Sequence, residues 1–185
     1  MRYAEGVTVR VREMQRAALV ELVNEWGATP RADAGERDRP YPPHAISAGR
    51  LGIPRSATPR SDRALAAVAD RLYPIFATRS ASRRVQLVNA LLAASDVRPT
   101  LRHDGAVAGG WLVADPSRAL LAAAAVTLRA QLTEHSAERL GTCAGHHCAG
   151  VYIDSSPTGR RRFCCLTCQN RARVAAFRRR RATTT

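Results

Sequence analysis

Val7, Val9 and Val11 alternate with Thr8, Arg10 and Arg12, the two-residue period of a half-buried strand. The period then lengthens. Leu19, Leu22, Val23 and Trp26 fall at i, i+3, i+4 and i+7 with Glu21 and Glu25 opposite, which predicts an amphipathic helix ending near Trp26. Residues 27–60 break the pattern with six prolines and four glycines and read as loop. So long a loop is expected to lie over the core, pinned by Tyr41, Ile46, Leu51 and Ile53, or to border a ligand pocket. Thr58-Pro59 resembles a helix start. Leu65, Val68, Ala69 and Leu72 then form a stripe, and Pro74 is expected to end or kink that helix. Ser80 or Ser82 caps the next helix, which carries Val85, Val88, Leu91 and Leu92. Residues 97–103 and 110–114, joined around Asp104-Gly105, suggest a hairpin. Asp115-Pro116 opens a helix with Leu121, Ala124, Ala125, Leu128 and Leu132 on one face, and Gly141 is its expected C-cap.

The expected fold is therefore mainly α (α+β). A helical domain at 1–140, with one strand and one hairpin, precedes a small module at 141–185. The module's pattern differs. Cys143 and Cys148, then Cys164 and Cys168, form a C-x4-C…x15…C-x3-C array. Two close cysteine pairs separated by a short loop can bring four thiolates to one point, as a structural zinc site requires. A segment this polar cannot bury enough apolar surface to fold unaided, so the ion is expected to hold it together. Val151–Ile153 reads as a short strand, 154–159 as a turn, and 160–163 as the return strand. Cys168 then sits in the first turn of a final helix, whose dipole favours a thiolate. Val174 and Phe177 are expected to anchor that helix to the metal turn. Cys165 makes the commoner C-x2-C spacing with Cys168, so the third ligand is Cys164 or Cys165, with Cys164 preferred at the strand end. His146 and His147 are alternative ligands or solvent-facing turn residues.

Charge sharpens the picture. The 185-residue chain carries a formal net charge of +14, and every basic residue is Arg. From Thr142 onward there are nine arginines against one acid, Asp154. Such a concentrated basic segment suits a polyanionic partner, although a charge run can equally be a solvated tail. Arg171 and Arg178 share one face of the final helix, and Arg173 and Arg180 form a second row. Arginine forks match phosphates and guanine edges. Asn170 and Arg171 can alternatively serve as hydrogen-bonding groups within the finger.

All five cysteines lie in the last third of the chain. The N-terminus shows no apolar signal region, and no run approaches the ~18 apolar residues of a membrane span. A reducing cytoplasm and no membrane association are the expectation. With no nucleotide loop, no HExxH and no carboxylate pair beside a histidine, no catalytic residue is assigned and the protein is not expected to be an enzyme. His44 and His103 read as loop histidines.

Arg161-Arg162-Phe163-Cys164, then Cys168-Gln169-Asn170-Arg171-Ala172-Arg173, resembles the CGNR zinc finger, whose pattern runs roughly R-R-W-C, a gap, then C-G-N-R-x-K. Cys143, Cys148 and Val151–Ser156 resemble the C-x4-C, hydrophobic strand and D-[ST]-S that precede it. Leu22-Val23-Asn24 and Val88–Leu92 resemble two short motifs of the ABATE domain that stands before this finger in bacterial stress-induced transcriptional regulators. Gln169, Phe163 and Arg173 depart from the family's glycine, tryptophan and lysine. The resemblance implies a treble-clef or ribbon-like finger and a DNA-binding transcriptional regulator located at the nucleoid. One structural Zn2+ per chain would be held by Cys143, Cys148, Cys164 and Cys168. Arg160, Arg161, Arg162, Asn170, Arg171, Arg173, Arg178 and Arg180 would form the nucleic-acid face. The N-terminal domain would dimerise or sense a small-molecule effector. An RNA-binding accessory protein and a protein-interaction adaptor are the alternatives.

Overall fold

The computed structural model describes residues 8–43, 46–103 and 105–182; Val7, His44 and Asp104 lie outside them. The described fold is mixed, with helix outweighing strand. A short strand β1 (Val9–Val11) leads into α1 (Arg16–Trp26). The stripe anticipated in α1 faces inward, and Leu19, Leu22, Val23 and Trp26 are all buried. The loop that follows is more ordered than its proline and glycine content suggests. It opens with α2 (Ala28–Asp33), where Pro30 is tolerated because it falls in the first turn. Arg31 holds the segment closed. Its guanidinium is buried, donates to the carbonyls of Glu36 and Arg39 at 2.8 and 2.6 Å, and lies 4.5 Å from the Tyr41 ring centre. Further on, Ile46, Leu51 and Ile53 pin the loop into the core as expected.

Helix α3 (Asp62–Ala77) starts later than Thr58-Pro59 suggested. Its cap is Ser61, whose side chain accepts from the Ala64 amide at 3.3 Å. It also runs one turn past Pro74, with the Pro74 carbonyl accepting from Thr78 at 3.1 Å. Ser80 caps α4 (Ala81–Ser95). The hairpin consists of β2 (Arg98–His103) and β3 (Val107–Val113), in register from Arg98↔Leu112 to His103↔Val107. His103 therefore lies in a strand rather than a loop. β3 also pairs with β1, giving an antiparallel sheet of order β1-β3-β2. Asp115 caps a 3-10 turn before α5 (Ala119–Glu134). α5 is buried on nearly every side because it packs on α4, α3 and β1 at once.

Two expectations fail just beyond α5. Gly141 is not a C-cap: α5 ends at Glu134 with His135 as its cap. Gly141 is instead the middle of β4 (Leu140–Thr142), which pairs antiparallel with β5 (Val151–Ile153). The Tyr152 ring lies close over it across the pair: a Cβ there would come within 2.7 Å of the Tyr152 hydroxyl, so a larger residue would require that ring to move. Residues 160–163 form no return strand; β5 pairs with β4 instead.

The β4–β5 pair is built into the helical core. Leu140, Val151 and Ile153 belong to the same buried cluster as α1, α3 and α5. Two polar side chains lock the junction. Asn24 of α1 accepts from the Val151 amide at 2.6 Å and donates to the Val151 carbonyl at 3.1 Å. Arg84 of α4, 4% exposed, donates to the carbonyls of Ile75 at 3.0 Å and Leu140 at 2.8 Å, and also to Ala137. Burial lowers the Arg84 pKa, opposed by the nearby Tyr152 and Glu138. A buried guanidinium is tolerated because carbonyls satisfy its donors.

Candidate metal centre and basic face

Antiparallel pairing of β4 with β5 closes the intervening residues 143–150 into a tight turn, and that turn carries the first cysteine pair. The Cys143 amide donates to the Gly150 carbonyl at 2.7 Å and the Ala144 amide to Arg162 at 2.8 Å. The second bond ties the turn to the segment bearing the second pair. The four sulfurs of Cys143, Cys148, Cys164 and Cys168 lie within 4.8 Å of one another. Cys148 and Cys164 are separated by 3.6 Å, Cys164 and Cys168 by 3.8 Å, and Cys168 and Cys148 by 3.6 Å. These spacings are far too long for disulfides. They match the S···S edge of about 3.8 Å in a tetrahedron of thiolates around an ion at ~2.3 Å.

The surroundings suit a cation. The amides of Gly145 and Cys164 point at the Cys143 sulfur, at 3.3 and 3.4 Å. Burial would raise the Cys143 pKa, but these amides together with the Cys164 and Cys148 thiols outweigh it and hold the thiol below its ordinary value. Burial and the neighbouring sulfurs push Cys164 up, and Cys168 to about 12. Four sulfurs this close favour their thiolate forms only when a positive ion shares the space. Backbone fits tightly around them: a Cβ on Gly150 would stand 3.1 Å from the Cys164 sulfur. Cys165 is exposed and outside the cluster. His146 and His147 stack edge to face, ring centres 3.9 Å apart, and are not in it either. With four protein sulfurs converging, the arrangement leaves no open coordination position for chemistry on a bound substrate.

The loop from β5 to the cysteines is organised by Asp154, which is 2% exposed. Its carboxylate accepts from the Ser156 and Arg161 amides, both at 2.8 Å. Burial would raise its pKa, but hydrogen bonds from Ser156 and the Arg161 amide, with the Arg139 charge nearby, hold it below the usual carboxylate range. Arg139 closes the same loop by donating to the carbonyls of Asp154 and Ser156.

The candidate nucleic-acid residues fall into two groups. Arg160, Arg161 and Arg162 line an open concavity of about 720 Å3 beside the start of α6 (Leu166–Ala182). Arg161 is turned back on its own loop, donating to the Phe163 carbonyl at 2.9 Å and to Cys164. Arg160 and Arg162 are exposed. Asn170, Arg171, Arg173, Arg178 and Arg180 all lie on α6, and all are exposed.

α6 does not sit on the metal turn as expected. Val174 and Phe177 are 49% and 53% exposed. The helix meets the body instead through Cys168, with Gln169, Ala172 and Ala176 half-buried. Cys168 must point at the other sulfurs, and that fixes the roll of the helix. Residues one and two turns on, Ala172 and Ala176, share its face, while Val174 and Phe177 fall on the other side. Counting from the ligand rather than from the largest apolar side chains would have revealed this. Asn24 and Arg139, which brace the turn from outside it, were not legible as site residues. Asn24's only signal was its place in the Leu-Val-Asn triplet.

The geometry defines a four-cysteine turn able to hold a metal ion, leading directly into an arginine-rich helix. The CGNR zinc finger family model matches residues 139–181, a span that begins just before β4 and takes in all four clustered cysteines, both strands and nearly all of α6. A comparison with curated proteins finds no match for the chain. No helix among the described residues is long and apolar enough to cross a membrane.

Proposed function

We propose that this protein is a zinc-containing, DNA-binding transcriptional regulator in which the metal is structural and α6 is the nucleic-acid surface. One observation carries the reading. The four-cysteine cluster holds α6 at a single buried residue, Cys168, and leaves its six arginines on a projecting rod with no acidic residue. Zinc is the ion best suited to four thiolates near tetrahedral spacing. A helix about 10–12 Å across fits a major groove about 12 Å wide. Phosphate contacts then come from the arginine rows, and base contacts from side chains on the leading face. In this reading the helical core is the regulatory part, able to dimerise or take an effector, and the protein acts at the nucleoid without catalysing a reaction.

The exposed Val174 and Phe177 favour a second reading, in which α6 docks on another protein and the finger is an adaptor. Genome-wide capture of crosslinked nucleic acid, with an RNase control, tests the choice. RNase-resistant enrichment at discrete sites supports a DNA regulator. Enrichment lost to RNase makes the protein an RNA binder, and absence of enrichment favours the adaptor.

A further inference from the structure

The leading face of α6 has an order that the charge alone does not explain. Helical geometry places Leu166, Asn170, Val174 and Phe177 in one strip along the helix. Arg171 and Arg178 run along one side of this strip, and Arg173 and Arg180 along the other. Leu166 is 75% exposed, Val174 49% and Phe177 53%. Beside them a shallow concavity of about 460 Å3 is lined by Thr167, Asn170, Arg171, Val174, Ala175 and Arg178. Neither the core nor the metal turn uses these side chains, so their packing does not account for them.

The flanking charge selects the occupant. A second copy of α6 would set arginine row against arginine row, which costs energy at short range. An anionic groove wide enough for a helix satisfies both rows at once and brings the strip to its floor. The major-groove floor offers one apolar group, the C5-methyl of thymine, and adenine offers adjacent N6 and N7 atoms that a carboxamide can bridge.

Resting on the DNA-binding reading above, we propose that Val174 and Phe177 pack on thymine methyl groups, with Asn170 on an adenine edge, so that α6 selects A·T pairs in the major groove. Asn170 is exposed and supplies both a donor and an acceptor. The arginine rows supply affinity without sequence preference.

The test uses metal-loaded full-length protein. Duplexes are selected from a randomised pool, then resynthesised with each thymine replaced in turn by uracil, which removes only the methyl. Wild type should lose about fourfold in affinity at one or more positions, as burial of one methyl-sized group predicts. Phe177→Ala or Val174→Ala should weaken binding to the thymine duplex and no longer distinguish the uracil one. Replacing the contacted adenine with 7-deazaadenine should weaken wild type but not Asn170→Ala. Metal content and circular dichroism confirm that each variant is folded. Equal binding of thymine and uracil duplexes at every position, by a protein that still binds DNA, overturns the inference and leaves the proposed function standing. No binding to any duplex at low salt overturns both. Retention on anionic lipid vesicles without thymine discrimination would assign the strip to a membrane surface instead.

Discussion

α5 and α6 have nearly the same length, 16 and 17 residues, and neither shows a clear amphipathic stripe, for opposite reasons. α5 is apolar nearly all round and twelve of its residues are buried, because α3, α4 and β1 pack against it from different sides. α6 is polar nearly all round, and of residues 166–181 only Cys168 is buried. Burial from many directions fixes the first; Cys168 in the cysteine cluster, with Gln169, Ala172 and Ala176 half-buried, anchors the second. Strength and exposure are thus separated in space. The core supplies stability, while the helix proposed to meet DNA keeps most of its side chains exposed.

The sharpest break of that contrast is loss of the metal. Cys164→Ser should abolish metal retention, whereas Cys165→Ser should leave about one ion per chain, measured by elemental analysis. Because the thiols must lose protons to bind, retention should also fall as pH is lowered. Hydrogen exchange after chelation should show residues 143–150 and α6 released while α1, α3 and α5 stay protected. Next in size is Leu128→Ala in α5, which should cost roughly 2–5 kcal/mol in denaturant unfolding, with the metal content unchanged. The junction comes third. Asn24→Leu leaves the Val151 amide and carbonyl unpaired and should cost about 1–3 kcal/mol. Unlike the core substitution, it should also speed metal loss to a chelator, because β5 borders the metal turn. The smallest effect belongs to Phe177→Ala, which should change stability by no more than about 0.5 kcal/mol. A large loss there would mean that α6 packs against something after all.

What the sequence made legible follows the same division. The stripe of α1, the cap of α4, the hairpin and the cysteine array were readable because each rests on local spacing or on a residue type with one common use. Elements that depend on distant partners were not. β4 exists only because β5 lies opposite it, so Gly141 reads locally as a helix cap. Asn24 and Val151 lie 127 residues apart, and nothing near Asn24 announces their pairing. Arg31 and Arg84 look like surface charges, yet each is buried because backbone carbonyls from folded loops converge on it. The roll of α6 follows the direction imposed by Cys168 rather than its largest apolar side chains, so Val174 and Phe177 face outward.

The central claim is that the cysteine cluster presents α6 as a nucleic-acid surface. A salt titration of duplex binding by metal-loaded, full-length protein tests it most directly. The account predicts binding at low salt, with log affinity falling linearly against log salt. Arg178→Ala should reduce that slope by about one, and chelation should erase the preference for selected over scrambled duplexes. Failure to bind any duplex at low salt, or binding indifferent to salt and to Arg178, would contradict it.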